Sequence, residues 1–170
     1  MVNSPEAKSI MSILYIPWRK NYKRKLPTEA CPFCVAFLAH NDRENLVIKR
    51  FKTCALVLCL HPYNAGHLLI IPYKHTGIFA DLSPEERHEI IDIMNQAIMV
   101  LYTALGCQGI NTGINLGDGC AGGSIPEHLH VHVVPRFKGD TNFLPIVASS
   151  RLITRDLMDL YDTLFKAFQS

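Results

Sequence analysis

The pattern of apolar and polar positions predicts at least four short β-strands. Continuous apolar runs or strict alternation, bounded by Pro, Gly and Asn, occupy residues 54–60, 66–72, 110–116 and 124–136. In the last stretch, Leu129, Val131 and Val133 alternate with three histidines, so one face would enter a core. The HPYNA sequence between the first two runs indicates a turn.

A 3.6-residue period predicts two helices. In LSPEERHEIIDIMNQAIMVLYTALG, Ser83 and Glu86 form a capping-box pattern and Pro84 fits the first helical position. Gly106 is a suitable end for this helix. From residue 154 onward, one helical face carries the apolar residues Leu157, Leu160, Leu164, Phe165 and Phe168. Several sequential strands with one long helix between them predict an α+β domain built on an antiparallel sheet.

The composition is that of an ordinary globular protein. The 170 residues are 48% apolar, which is enough for one core, and we expect an N-terminal extension at 1–30 and a single domain at 31–170. The net charge of +2 does not indicate a nucleic-acid partner. No apolar run approaches the roughly 18–20 residues of a membrane span, and the first residues do not read as a signal peptide. We therefore expect a cytoplasmic protein whose six cysteines are thiols or metal ligands.

Three of the eight histidines, His128, His130 and His132, alternate along one predicted strand. Alternation places them on one face, with neighbours roughly 6.6 Å apart, so that all three can border one site. A neutral imidazole can attack phosphorus when its other nitrogen is held as a donor. Histidines on a strand can also ligate zinc in an open site, or simply lie on a wet surface. Three alternating histidines beside a glycine-rich loop argue against a simple surface position.

The glycine-rich loop is GDGCAGGS at 117–124, directly before the histidines. Glycines allow successive backbone N–H groups to converge on an anion, and Ser124 adds a hydroxyl donor. A phosphate bound there would lie beside the imidazoles.

The CPFC sequence at 31–34 supplies two thiols at the spacing that chelates one zinc ion. A closed zinc site needs two further ligands, and two thiols without metal are the alternative. A redox role is disfavoured because no thioredoxin-like βαβ pattern surrounds the pair.

The sequence HLHVHVV at 128–134 resembles the signature of the histidine triad (HIT) family, in which three histidines alternate with apolar residues. PYNAGHLLIIPYKH at 62–75 is similar to the family's Gly-His strand, and the resemblance extends over about 31–136. The PWRKNY, HPYNAGH and GDTNF sequences look most like the diadenosine tetraphosphate phosphorylase-like branch. The resemblance implies a HIT-like antiparallel sheet of about five strands, a long helix after the Gly-His strand, and a homodimer.

The resemblance also implies an activity. His130 would attack the α-phosphorus of an adenosine 5′-phosphoanhydride, such as diadenosine tetraphosphate or a related dinucleoside polyphosphate. Inorganic phosphate or water would then cleave the nucleotidyl-histidine. His132 and Ser124 would stabilise the transferring group, and His67 would support the triad. The residues expected to contact substrate are Asn64, Asn115, Gly117, Gly122 and Gly123.

Some members of the family carry a structural zinc ion, and the matching positions here hold suitable residues. The resemblance implies that Zn²⁺ is bound by Cys31, Cys34, His75 and His128. The first histidine of the triad would then face a metal, and the second would perform the chemistry.

The chain departs from the family pattern at two places. Cys59 stands where many relatives have Asp or Asn for the ribose hydroxyls, and a thiol is a poor acceptor. Ile125 stands where many have Ser or Thr, with Ser124 one residue earlier. Alternative functions are a nucleotide-binding HIT module with little catalysis, a hydrolase of nucleoside phosphoramidates or AMP conjugates, and a metallohydrolase that uses the triad as zinc ligands.

Overall fold

The structure, a computed structural model, describes residues 30–117, 123–141, 153 and 155–169. The expected N-terminal extension up to residue 29, Cys120 and Gly122 lie outside these ranges, as does the end of the GDTNF sequence. Within them, no helix combines the length and apolar character that crossing a membrane requires.

The described ranges contain three α-helices, five strands and a 3-10 turn. The helices are α1 (Pro32–Ala39), α2 (Pro84–Leu105) and α3 (Leu157–Ala167), and the 3-10 turn is Phe79–Asp81. The strands are β1 (Val47–Arg50), β2 (Cys54–Leu58), β3 (Leu68–Pro72), β4 (Gly109–Ile114) and β5 (Val131–Arg136).

The five strands form one antiparallel sheet in the order β1-β2-β3-β5-β4. Every residue of β2 and β3 is buried, which explains their continuous apolar sequences. β5 pairs with both β3 and β4, so that His132 lies opposite Leu69 on one side and Gly113 on the other. The predicted α+β class, built on an antiparallel sheet of about five strands, is confirmed.

The histidine segment enters the sheet later than its alternation predicts. The strand begins only at Val131, and His128 and His130 belong to the irregular segment before it. The reason is a crossing contact: the Leu129 N–H donates to the carbonyl of Thr76 at 2.7 Å, away from the sheet ladder. The predicted burial of the apolar positions is confirmed, because Leu129, Val131 and Val133 are at most 3% exposed.

Helix α2 forms as its sequence predicts. The Glu86 N–H donates to Ser83 Oγ at 3.2 Å, and the Ser83 N–H donates to Glu86 Oε2 at 2.7 Å. Gly106 ends the helix in the left-handed conformation, with φ of 64°. The face that packs on the sheet carries residues that solvent barely reaches: Ile90, Ile93, Ala97, Leu101 and Leu105.

Two elements have no counterpart in the sequence prediction, namely α1 and β1. β1 is a four-residue strand that pairs with β2 through an irregular register, and α3 holds it from outside. The Tyr161 hydroxyl of α3 donates to the Val47 carbonyl at 3.0 Å in a buried contact. α1 is short and has no apolar stripe, so periodicity gives no signal for it.

The loop after β3 presses directly on the segment before the histidines. A Cβ atom on Gly77 would stand 2.2 Å from the carbonyl oxygen of Pro126, closer than atoms can approach. Glycine at this position therefore lets the residues around His75 pack against those around His128.

We expect Gly77→Ala to lower the free energy of unfolding by about 1–3 kcal/mol, because backbone must shift to admit the methyl group. Gly109→Ala is the matched control: its Cβ would meet Arg136 at an ordinary 3.6 Å, so a change within about 0.5 kcal/mol is expected. Urea unfolding of both variants measures the difference. Equal stabilities would contradict the close packing of these two segments.

Candidate functional site

The site forms where the segment before β5 and the turn before β3 come together. His128 and His130 lie in the first, His132 follows within β5 itself, and His67 lies in the second. His67 and His128 are fully buried, whereas His130 and His132 are partly exposed. The fold thus brings together the four histidines that the family resemblance implies act together.

His130 is held as the tautomer that a nucleophile requires. Its Nδ1 lies 2.9 Å from the backbone carbonyl oxygen of His128, and a carbonyl can only accept. Nδ1 therefore carries the hydrogen and donates it, which leaves a lone pair on Nε2.

His132 is held in the opposite sense through a chain of hydrogen bonds. The Tyr63 N–H donates to Nδ1 of His67 at 3.1 Å, so His67 carries its hydrogen on Nε2. That Nε2–H donates to Nδ1 of His132 at 2.9 Å. His132 consequently carries its own hydrogen on Nε2, which makes it a donor toward the site.

Asn115 completes this chain at its outer end. Nδ2 of its side-chain amide lies 3.2 Å from Nε2 of His132. Because Nε2 carries a hydrogen, the amide oxygen is the atom that accepts from it, which a half-turn of the amide provides. Gly113, opposite His132 on β4, leaves open space, since a Cβ there would meet nothing within 4 Å.

Burial keeps these imidazoles neutral. Burial first, and repulsion from neighbouring histidines second, lower the pKa of His67 to about 3 and that of His132 to about 4. Burial also lowers the pKa of His130 and of His128 below its ordinary value. The rings are therefore neutral at neutral pH, and each keeps one nitrogen free to accept, as the hydrogen bonds of His67, His130 and His132 require.

A second cluster lies on the other side of His128. Ligand atoms of Cys31, Cys34, His75 and His128 all lie within 4.8 Å of one another. Sγ of Cys31 and Nδ1 of His75 each lie 3.3 Å from Nδ1 of His128. Sγ of Cys34 lies 3.4 Å from Nδ1 of His75 and 3.6 Å from Nδ1 of His128.

This cluster has the geometry of a tetrahedral metal site. With zinc–sulfur and zinc–nitrogen bonds of about 2.3 and 2.05 Å, ligand atoms lie roughly 3.3–3.8 Å apart, and the four distances given above, 3.3–3.6 Å, fall in this range. His128 also presents the correct nitrogen, because its Nε2–H donates to the Pro72 carbonyl at 2.8 Å and leaves Nδ1 as a ligand. These four residues, the ones expected from the sequence, can hold a divalent metal.

The sequence did not point to Phe33, Tyr63 or Asp140. The Phe33 ring stands edge-on to His128 and His130 at 5.4 Å from each, and Tyr63 stacks on His67 and His132 at 4.8 and 5.5 Å. The position of Phe33 between two cysteines of the expected metal-ligand set was the available signal for it. For Tyr63 and Asp140 the available signal was their place in the HPYNAGH and GDTNF sequences.

The expected phosphate loop is described only at its ends. Gly117 and Gly123 have φ of 98° and 69°, the left-handed values that glycine permits in an anion-binding loop. Ser124 follows as a partly exposed residue, and Gly122 lies outside the described ranges.

Two further positions singled out in the sequence lie deep in the protein. Asn64 is 4% exposed, and its amide donates to the Pro135 carbonyl and to Asp140. Cys59 is 9% exposed and follows β2, where its N–H donates to the carbonyl of His67 at 2.8 Å. Cys59, at the position where the resemblance implies a ribose ligand, thus contacts the backbone of His67.

Comparison with known proteins adds a family to this geometry. The sequence model of the HIT domain matches residues 41–139. An AP-4-A phosphorylase of Mycobacterium tuberculosis is 40% identical over 154 residues, covering 86% of this chain and 78% of the relative. An asymmetrical bis(5′-nucleosyl)-tetraphosphatase of Schizosaccharomyces pombe is 32% identical over 94 residues, covering 55% and 50%. A zinc-bound histidine triad family protein of Mycobacterium smegmatis superposes with a TM-score of 0.65 at 26% identity, covering 82% of this chain and 94% of that one.

The lowered pKa of His67 predicts a specific loss of stability in acid. As the pH falls below about 6.5, His67 of the unfolded chain binds a proton that the folded chain refuses until about pH 3. The free energy of unfolding should therefore fall by up to about 1.4 kcal/mol per pH unit on this account, in the window between pH 6.5 and 5.

Denaturant unfolding of the wild type and of His67→Gln across this window measures the effect. The variant should lose stability less steeply as the pH falls, whatever its stability at pH 7. His88→Gln, at an exposed position on α2, should keep the wild-type slope. A His67→Gln slope identical to that of the wild type would contradict the buried neutral state.

Proposed function

Because the chain belongs to the histidine triad family, we propose that it is a nucleotidyl-transfer enzyme that cleaves dinucleoside polyphosphates such as diadenosine tetraphosphate. The observation that carries this proposal is the donation from Nδ1–H of His130 to the His128 carbonyl, which leaves Nε2 as a nucleophile. The 40% identity to an AP-4-A phosphorylase supports the substrate and favours phosphate as the acceptor, with water as the other candidate.

The reaction consists of two displacements at one phosphorus atom. Nε2 of His130 attacks the α-phosphorus, the bond to the bridging oxygen breaks, and ATP leaves when diadenosine tetraphosphate is the substrate. Inorganic phosphate then attacks the adenylyl-histidine and forms ADP, while His130 leaves as a neutral imidazole. Two in-line steps give net retention of configuration at phosphorus.

The neighbouring groups stabilise the charge that develops on the transferring group. His132 donates from Nε2–H, and His67 holds it in that tautomer. Backbone amides at Gly117 and Gly123, with the hydroxyl of Ser124, are placed by sequence to bind the phosphate oxygens. Asn115 and the open space over Gly113 lie beside His132, where substrate would enter.

The metal of the second cluster is zinc in this proposal, bound by Cys31, Cys34, His75 and His128. A closed tetrahedral set of two thiolates and two imidazoles suits structural zinc, which supplies rigidity and no redox chemistry. The relative from Mycobacterium smegmatis, named as zinc-bound, supports the identity of the metal. The ion would join α1, the end of β3 and the histidine segment, and it would hold Phe33 against His130.

Three expectations from the sequence stay predictions: a single domain at 31–170, a cytoplasmic location and a homodimer. The homodimer is supported by an exposed apolar stripe on α2, where Ile91, Met99 and Tyr102 are 60%, 58% and 42% exposed. Strand β4, at the end of the sheet order, offers a second surface for pairing.

Incubation with diadenosine tetraphosphate, with and without inorganic phosphate, tests the activity. We expect ADP and ATP only when phosphate is present, whereas AMP and ATP in its absence would identify a hydrolase. His130→Ala should lower kcat by at least about 10⁴-fold, because it removes the proposed nucleophile. In an alkaline quench, mass spectrometry should find an adenylate on the peptide that contains His130.

The control for this experiment is His88→Ala, which removes an exposed histidine of α2 and should leave kcat unchanged. Nucleotide binding without turnover, and without an adenylate on His130, would contradict the enzyme and favour a binding module. Turnover of phosphoramidates alone would reassign the substrate class.

The zinc assignment predicts one zinc ion per chain by elemental analysis. Cys34→Ser and His75→Ala should each weaken zinc binding by more than about tenfold, because each removes one of four ligands. A chelator should lower the melting temperature of the wild type. Cys107→Ala, at a buried thiol outside the cluster, should retain zinc. Zinc that persists after the loss of both Cys31 and Cys34 would contradict this site and favour metal ligation by the triad.

A further inference from the structure

The orientation of the His67–His132 pair depends on one backbone group, the N–H of Tyr63. That N–H donates to Nδ1 of His67, and its donation leaves the hydrogen of His67 on Nε2, the nitrogen that faces His132. A small displacement of the turn at 61–66 would release Nδ1 and allow both rings to exchange tautomers. The residue that holds this turn therefore controls the donor that His132 presents.

Asn64, the next residue, is that anchor. Its amide donates one hydrogen to the Pro135 carbonyl at 3.0 Å and the other to Asp140 Oδ2 at 2.8 Å, while its Oδ1 accepts from the Ala65 N–H at 3.2 Å. Its backbone carbonyl accepts from the His67 N–H at 3.1 Å. These partners fix the amide orientation and direct all of its polar groups into the protein.

Asp140 links Asn64 to β5, the strand that carries His132. Its carboxylate accepts from Nε and Nη2 of Arg136 at 2.7 and 2.8 Å, in addition to the bond from Asn64. Arg136 is the last residue of β5, four positions after His132, and its Nη1 donates to Asn111 of β4. The Asp140 side chain is only 9% exposed, so these bonds form with little competition from water.

These contacts form a closed path that begins and ends at β5. It runs from Arg136 through Asp140 to Asn64, and then from the adjacent Tyr63 through His67 to His132 of β5. We infer that Asp140 and Asn64 are positioning residues, which hold the turn so that His132 presents Nε2–H to the transferring phosphoryl group. Neither side chain touches the reacting atoms. The inference deepens the proposed function, on which its kinetic part rests, and it gives Asn64 a role other than the substrate contact expected from the sequence.

Positioning and substrate contact leave different kinetic signatures. Asp140→Ala should lower kcat on diadenosine tetraphosphate by about 10- to 100-fold, with KM within about threefold of the wild type. Asp140→Asn keeps an oxygen that accepts from Asn64 and should recover most of kcat. Asp162→Ala removes another two-pronged Arg–Asp pair, on α3 with Arg43, and should leave kcat and KM unchanged.

Nitrogen-15 NMR of the histidine rings tests the same inference without substrate. The wild-type chain should show His67 and His132 both protonated on Nε2, and Asp140→Ala should show a mixture of tautomers. Because this measurement needs no activity, it still decides the inference if the enzyme assays fail.

Three results would overturn the inference. One is a folded Asp140→Ala variant with wild-type kcat and wild-type ring signals. Another is an Asp140→Ala variant in which only KM rises, which would assign Asn64 to substrate contact. The third is an Asp140→Asn variant that is as impaired as Asp140→Ala although both melt like the wild type.

Discussion

The site depends on one constraint: each imidazole has two nitrogens, and the group that occupies one of them decides what the other can do. The His128 carbonyl occupies Nδ1 of His130, the Pro72 carbonyl occupies Nε2 of His128, and His67 occupies Nδ1 of His132. Three chemically identical side chains are thereby suited to three different roles in the proposed function: nucleophile, metal ligand and donor. Burial supports this division, because it keeps the rings neutral and so prevents both nitrogens from becoming donors.

The sequence predicts the elements that follow from local pattern. The capping box of α2 and the buried alternation of Leu129, Val131 and Val133 occur as expected, since both depend on residues that are close in the chain. The residues of the Cys/His cluster and of the histidine site lie together as expected. This could be predicted because the family resemblance carries information about contacts between distant residues, which periodicity lacks. β1 and α1 were missed because both are short and neither has a periodic apolar face.

What the sequence could not predict are the partners that select each tautomer. The Pro72 carbonyl lies 56 residues from His128, and Asp140 lies 76 residues from Asn64. Asn64 illustrates the difficulty, because a polar residue in a turn beside a predicted active site reads equally well as a substrate ligand or as an anchor. Only the burial of its amide and the three groups that satisfy it distinguish the two readings.

His128 joins the two halves of the site through different parts of one residue. Its ring supplies Nδ1 to the metal cluster, and its backbone carbonyl holds His130, the proposed nucleophile, in the required tautomer. With Nε2 held by the Pro72 carbonyl and Nδ1 held by a metal, the ring could not rotate about its side-chain bonds, and this would restrain the backbone of the same residue. A metal bound by Cys31 and Cys34 would therefore fix the position of the acceptor on which the nucleophile depends. Such a metal would not need to approach the phosphate to matter for the proposed reaction, since its effect would pass through a single backbone carbonyl.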